Sequence, residues 1–120
     1  MTHATRTEHE TRGPVQVPEE ALWGAQTQRS RNNFDIAADR IPTPLIHALA
    51  RIKQAAAIVN ARHGLISSDQ CASIVEAAAA IAEGRHDAQF PLRVWQTGSG
   101  TQTNMNLNEV ISNLASLRAG

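Results

Sequence analysis

The densest run of hydrogen-bonding side chains in the chain is Trp95-Gln96-Thr97-Gly98-Ser99-Gly100-Thr101-Gln102-Thr103-Asn104-Met105-Asn106-Leu107-Asn108-Glu109. Two glycines bracket a serine directly ahead of a predicted helix. Glycine lets the backbone come close to a ligand and adopt conformations that other residues avoid. The helix start that follows offers unpaired backbone N–H groups and the positive end of the helix dipole, which together suit a carboxylate or phosphate. Ser99, Thr101, Thr103 and Asn104 add neutral donors, a set fitted to a small anion that must bind and leave. The same residues also read as an ordinary loop whose Ser and Thr cap the helix. Gly-Ser-Gly-Thr by itself does not choose between the two.

Other chemistries are poorly served. No Lys follows Gly100, so the loop is not a triphosphate-binding motif, and no buried strand precedes it as a dinucleotide fingerprint requires. His3, His9, His47, His63 and His86 are scattered without ligand-like spacing to acids or to Cys71, so they read as surface residues and no metal site is expected. The single cysteine, Cys71, excludes an internal disulfide and fits a reducing compartment. Its helical surroundings predict a buried structural thiol. Acidic and basic residues number 11 each, so no net field draws the chain to nucleic acid or an anionic membrane. No window approaches the roughly 18 consecutive apolar residues of a membrane span. Residues 1–12 lack an apolar core and contain Glu8 and Glu10, unlike a signal or transit peptide. These features point to the cytoplasm.

The elements that must position the loop are mainly helical. Gly13-Pro14-Val15-Gln16-Val17-Pro18 alternates between turn residues and predicts a short strand, pairing with Thr5 to Glu10 in a hairpin. Residues 19–41 have no clean period and read as short helix and loop. Thr43-Pro44 predicts a helix start, Thr as N-cap and Pro as first helical residue. Leu45, Leu49, Ile52, Ala56 and Val59 then form one stripe, with Gly64 as the stop. Arg51 and Lys53 are expected on the solvated face. Ser67-Ser68-Asp69-Gln70 has the form of a capping box. It opens a second helix with an apolar face of Ile74, Ala78, Ile81 and Ala82, ended by Gly84. The two helices should be antiparallel. From Arg85 to Gly98 the period is lost and the chain reads as extended. A last helix is predicted from about Thr101, with Leu107, Val110, Ile111, Leu114 and Leu117 on its apolar face. Apolar residues are 42% of the chain, but many are Ala, which buries little area. Such a core is thin for a unit of 120 residues standing alone, and weak stability with self-association through the Ala-rich faces is expected.

Three stretches in order resemble class II fumarases of the fumarase/aspartase superfamily. The first is Val17-Pro18 followed by Leu22-Trp23-Gly24-Ala25-Gln26-Thr27-Gln28-Arg29-Ser30 and Asn33-Phe34. The second is Phe90-Pro91-Leu92. The third runs from Trp95 to Thr101 and continues through Asn104-Met105-Asn106 and Asn108-Glu109-Val110-Ile111. The resemblance covers nearly the whole chain after about residue 6. Aspartases usually carry Gly-Ala-Gly-Thr-Ser in the loop and Tyr-Gly with a His before the Thr in the early motif. Gly98-Ser99-Gly100-Thr101-Gln102 and Trp23-Gly24-Ala25-Gln26-Thr27 depart from both and favour fumarase.

The resemblance implies a mainly α fold: a small N-terminal β-hairpin followed by a helical lyase N-terminal domain spanning residues 1–120, with the central helical and C-terminal domains absent. It implies reversible hydration of fumarate to (S)-malate by a homotetramer, without metal or cofactor. Ser99, Gly100 and Thr101 would hold a substrate carboxylate, with Asn104 in support. Gln96, Asn106 and Asn108 would fix the loop and helix, and Trp23 and Trp95 would pack. The family's catalytic His region and its Gly-Ser-Ser-x-Met-Pro-x-Lys loop have no counterpart here, so no catalytic residue is assigned and the chain alone is expected to be inactive. Two other readings are an aspartase-like ammonia-lyase fragment and a short non-catalytic module that assembles with a full-length lyase.

Overall fold

A computed structural model describes residues 3–120. Two strands, β1 (Thr5–Glu10) and β2 (Gly13–Pro18), form the expected hairpin, pairing antiparallel in a register that runs from Thr5↔Pro18 to Glu10↔Gly13. Facing pairs share one side of a ribbon. Here that side carries Arg6, Glu8 and Glu10 from β1 opposite Val17, Val15 and Gly13 from β2. Val17 is fully buried, and the charged row turned inward with it must be paired. Arg6 meets this need by donating to the backbone carbonyls of Pro18, Glu19, Ala21 and Trp23 at 2.7–3.0 Å. Glu10 lies 2.6 Å from the Arg29 guanidinium. Burial acts to raise the Glu10 carboxyl, but the Arg12 backbone N–H, the Arg29 charge and the Thr11 hydroxyl outweigh it and hold the group below its ordinary 4.5.

Four helices follow: α1 (Ala25–Asn33), α2 (Thr43–Arg62), α3 (Ser68–Ala82) and α4 (Thr101–Ala119). The predicted capping box opens α3, with Gln70 N–H on Ser67 Oγ at 3.0 Å and Ser67 N–H on Gln70 Oε1 at 2.9 Å. Gly64 and Gly84 follow α2 and α3 as expected, both at positive φ. His47 near the start of α2 lies 2.8 Å from Asp87, just beyond the end of α3, so the two helices run antiparallel. One core joins β2 to α2, α3 and α4 through Val17, Trp23, Ile46, Ala50, Ala78, Ile81, Phe90, Leu107 and Val110 among others. Each fully buried large aliphatic side chain there contributes about 1.5–3 kcal/mol.

Several expectations fail in instructive ways. Pro42, not Thr43, is the N-cap of α2: its carbonyl already accepts from Leu45 N–H at 3.0 Å, which places Thr43 inside the first turn. The face of α2 that meets α3 is Ile46, Ala50 and Ala57, with Leu49 partly buried. The expected stripe residues Leu45, Ile52 and Val59 are 47%, 61% and 48% exposed. Small Ala50 shares one buried cluster with Ala77 and Ala78, and the larger residues are left on the exposed side of the helix. Leu117, expected on the buried face of α4, is exposed, whereas Leu107, Val110 and Ile111 are buried as expected. Cys71 is half-buried rather than buried. Trp95, expected to pack, is 59% exposed. The segment after α3 is more ordered than a bare extended loop. It turns through Asp87–Gln89, buries Phe90, Pro91 and Leu92, and lies against residues 39–41 through Ile41 N–H on Leu92 O and Val94 N–H on Asp39 O.

Candidate anion-binding loop

Three side chains, Gln96, Gln102 and Asn106, anchor the Gly98–Thr101 loop. Gln96 donates to Arg93 O at 2.8 Å and accepts from Thr103 Oγ1 at 3.3 Å. Gln102 Oε1 accepts from Thr97 N–H at 3.0 Å and Thr97 Oγ1 at 2.6 Å, closing the loop on the first turn of α4. Asn106 donates to Gln89 O at 3.1 Å and is buried. Gln96 and Asn106 therefore do the fixing that the sequence suggested, while Asn108 reaches only Met105 Sδ, at 3.9 Å. Gly100 is the N-cap of α4 at φ 79° and ψ −1°, a left-handed conformation that costs other L-residues roughly 1–2 kcal/mol.

That turn brings the predicted residues together. Ser99 Oγ lies 3.1 Å from Thr101 Oγ1 and 3.3 Å from Thr97 Oγ1, and Thr101 N–H reaches it only at 3.4 Å. The N-cap Gly100 has no side chain to cap α4, so the long contact from Thr101 N–H to Ser99 Oγ is what the helix start receives beside these two hydroxyls. Ser99, Gly100, Thr101 and Asn104 are all exposed. Three and four residues apart on a helix is one face, so Thr101 and Asn104 sit side by side. Neutral donors and a helix N-terminus in one place can receive a carboxylate from solvent.

Two residues with large structural parts were not singled out from the sequence. Glu109, about two turns past the loop on α4, caps α1 from across the fold. Its carboxylate accepts from Gln26 N–H at 3.0 Å, Thr27 N–H at 3.0 Å and Thr27 Oγ1 at 2.6 Å. The α1 helix has no capping side chain of its own, and a carboxylate at its positive end is favourable. Gly24 is the residue that permits this, because a Cβ there would run into the Glu109 carboxylate. The early motif and the loop motif are thus welded together. Trp23 is packed beside this joint, its indole N–H on Gln28 Oε1 at 3.0 Å and the Arg31 guanidinium over its ring. The second residue is Lys53, expected to be solvated. Arg51 is exposed, but Lys53 is half-buried and donates to Asn104 Oδ1 at 2.7 Å. It stands on the α2 wall of a groove of about 670 Å³ that Ala57, Ile74, Asn108 and Ile111 also line.

Among the described residues, no three His, Cys, Asp or Glu side chains gather as a metal site. No helix of the described residues is long and apolar enough to cross a membrane.

Comparison with known proteins agrees with this architecture. A lyase family model matches residues 13–119. The class II fumarate hydratase of Prochlorococcus marinus strain MIT 9313 is 63% identical over 116 residues, which is 97% of this chain and 25% of that protein. The class II fumarate hydratase of Ralstonia nicotianae is 60% identical over 112 residues, or 93% of this chain and 24% of that protein. A recombinant class II fumarase from Schistosoma mansoni superposes with a TM-score of 0.92 at 46% identity, covering 94% of this chain and 24% of its own. The chain spans about a quarter of the length of the curated relatives it matches. It belongs to the lyase family, and within that family it matches the N-terminal region of class II fumarases.

Proposed function

We propose that this chain is the N-terminal domain of a fumarate hydratase, supplying the loop that holds one carboxylate of fumarate or (S)-malate. The observation that carries this is the turn at Gly100, which sets the Ser99 and Thr101 hydroxyls beside the start of α4. In the dehydration direction a base removes the proton next to one carboxylate of malate, and hydroxide then departs with help from an acid. Negative charge grows on that carboxylate before the double bond forms. Donors aimed there hold the intermediate more tightly than the ground state, which lowers the barrier. Ser99, the Gly100–Thr101 backbone and Thr101 fill that role, with Asn104 beside them. Proton removal and acid assistance fall to residues outside this chain, in a homotetramer whose sites combine several subunits. The chain alone is therefore inactive.

The test is turnover of fumarate by the complete gene product, followed as loss of fumarate and gain of (S)-malate with and without ammonia. Hydration independent of ammonia is expected. Aspartate formed only with ammonia would replace the hydratase by an ammonia-lyase. No turnover of either kind would leave a non-catalytic module.

A further inference from the structure

We propose that Lys53 is a positioning residue for the carboxylate site, holding and polarising the Asn104 side-chain amide so that its NH₂ group donates to the bound dicarboxylate. This rests on the reading of the loop as a fumarate site. Lys53 is the chain's one lysine, and it reaches Asn104 from 51 residues away on a different helix. An Asn amide has an accepting end and a donating end, and an ammonium can only donate. The 2.7 Å contact therefore commits Oδ1 to Lys53 and leaves Nδ2 as a donor, one turn along α4 from Thr101. A cation on the carbonyl oxygen also strengthens the amide N–H groups as donors.

The location argues against a purely fastening role. Asn104 lies in the first turn of α4, the positive end of that helix dipole, where anions are favoured and cations are not. A lysine held there works against the helix until an anion arrives, when both favour it. Half-burial beside the groove limits the freedom of its ammonium to move elsewhere.

The test uses the complete hydratase carrying this chain. Lys53→Met should raise KM for fumarate roughly tenfold while kcat stays within about threefold, the scale of one hydrogen bond to a charged group. Lys53→Arg should restore KM to within about threefold. In an Asn104→Ala background, Lys53→Met should add nothing further, since its effect travels through that amide. Should Lys53→Met fail to fold, Lys53→Gln, which keeps one donor without the charge, should still give an intermediate KM. A lower Tm with unchanged KM would mean that Lys53 only fastens α2 to α4, and would overturn the proposal. Additive losses in the double variant would overturn it too. Wild-type enzyme without hydratase activity would instead remove the functional reading beneath it.

Discussion

Replacing Glu109 by Ala removes both oxygens that hold the start of α1. Three donors lose their partner: Gln26 N–H, Thr27 N–H and Thr27 Oγ1. Gln26 is exposed and its N–H turns to water at little cost, whereas Thr27 is 1% exposed and has no such recourse. Loss of a helix cap costs about 1 kcal/mol, and leaving a buried polar group unpaired costs about 1–3 kcal/mol. Glu109→Ala should therefore destabilise by about 3 kcal/mol. Glu109→Gln keeps one oxygen for Thr27 but turns an NH₂ group toward Gln26 N–H, for a loss of about 1.5 kcal/mol. Gly24→Ala forces the same carboxylate aside, so its effect and that of Glu109→Ala should not add. Urea unfolding followed by circular dichroism gives the energies, and amide exchange at Gln26 and Thr27 localises the damage. A loss under about 1 kcal/mol for Glu109→Ala, or fully additive losses with Gly24→Ala, would refute the cross-fold cap.

Arg6→Ala should release the 18–23 turn from the hairpin and cost about 2–3 kcal/mol, while Arg6→Lys should recover little, because a point ammonium cannot serve four carbonyls as a planar fork does; urea midpoints of the three proteins decide it. The Glu10 carboxyl is held below its ordinary 4.5, so its contribution is present above that pH and is lost as pH falls through the depressed value. Docking of the hairpin on α1 should accordingly weaken in acid, and Glu10→Gln should remove that part of the pH dependence of stability. An unchanged acid limb in Glu10→Gln would contradict this.

The hairpin pairing, the capping box of α3, the stops at Gly64 and Gly84 and the start of α4 at Thr101 were legible in the sequence, because each follows from residues within one turn or one strand pair. The face of α2 was not. Leu, Ile and Ala surround that helix, so the larger Leu45-Ile52-Val59 stripe outranks the Ala50-Ala57 stripe on hydrophobicity alone, and only the closeness of α3 shows that small residues are wanted. For the loop, its residues and its position ahead of a helix were readable; what braces it was only partly so. Gln96 and Asn106 act locally, but Lys53 reaches Asn104 across 51 positions and Glu109 reaches Thr27 across 82. The one local hint for Glu109 was an α1 with neither a capping side chain nor an acid in its first turn. Trp95 followed a habit of placing indoles in cores, and here most of its surface is in solvent.

The central claim is that Ser99 and Thr101 hold a substrate carboxylate, and the most direct measurement is fumarate hydration by the complete gene product and by its Thr101→Val variant. Valine keeps the shape and deletes the hydroxyl that lies 3.1 Å from Ser99 Oγ. The prediction is an active wild-type enzyme and a variant whose kcat/KM falls by roughly 10–100-fold at unchanged Tm, the scale of one charge-assisted hydrogen bond. A fully active Thr101→Val enzyme would show that the carboxylate is held elsewhere.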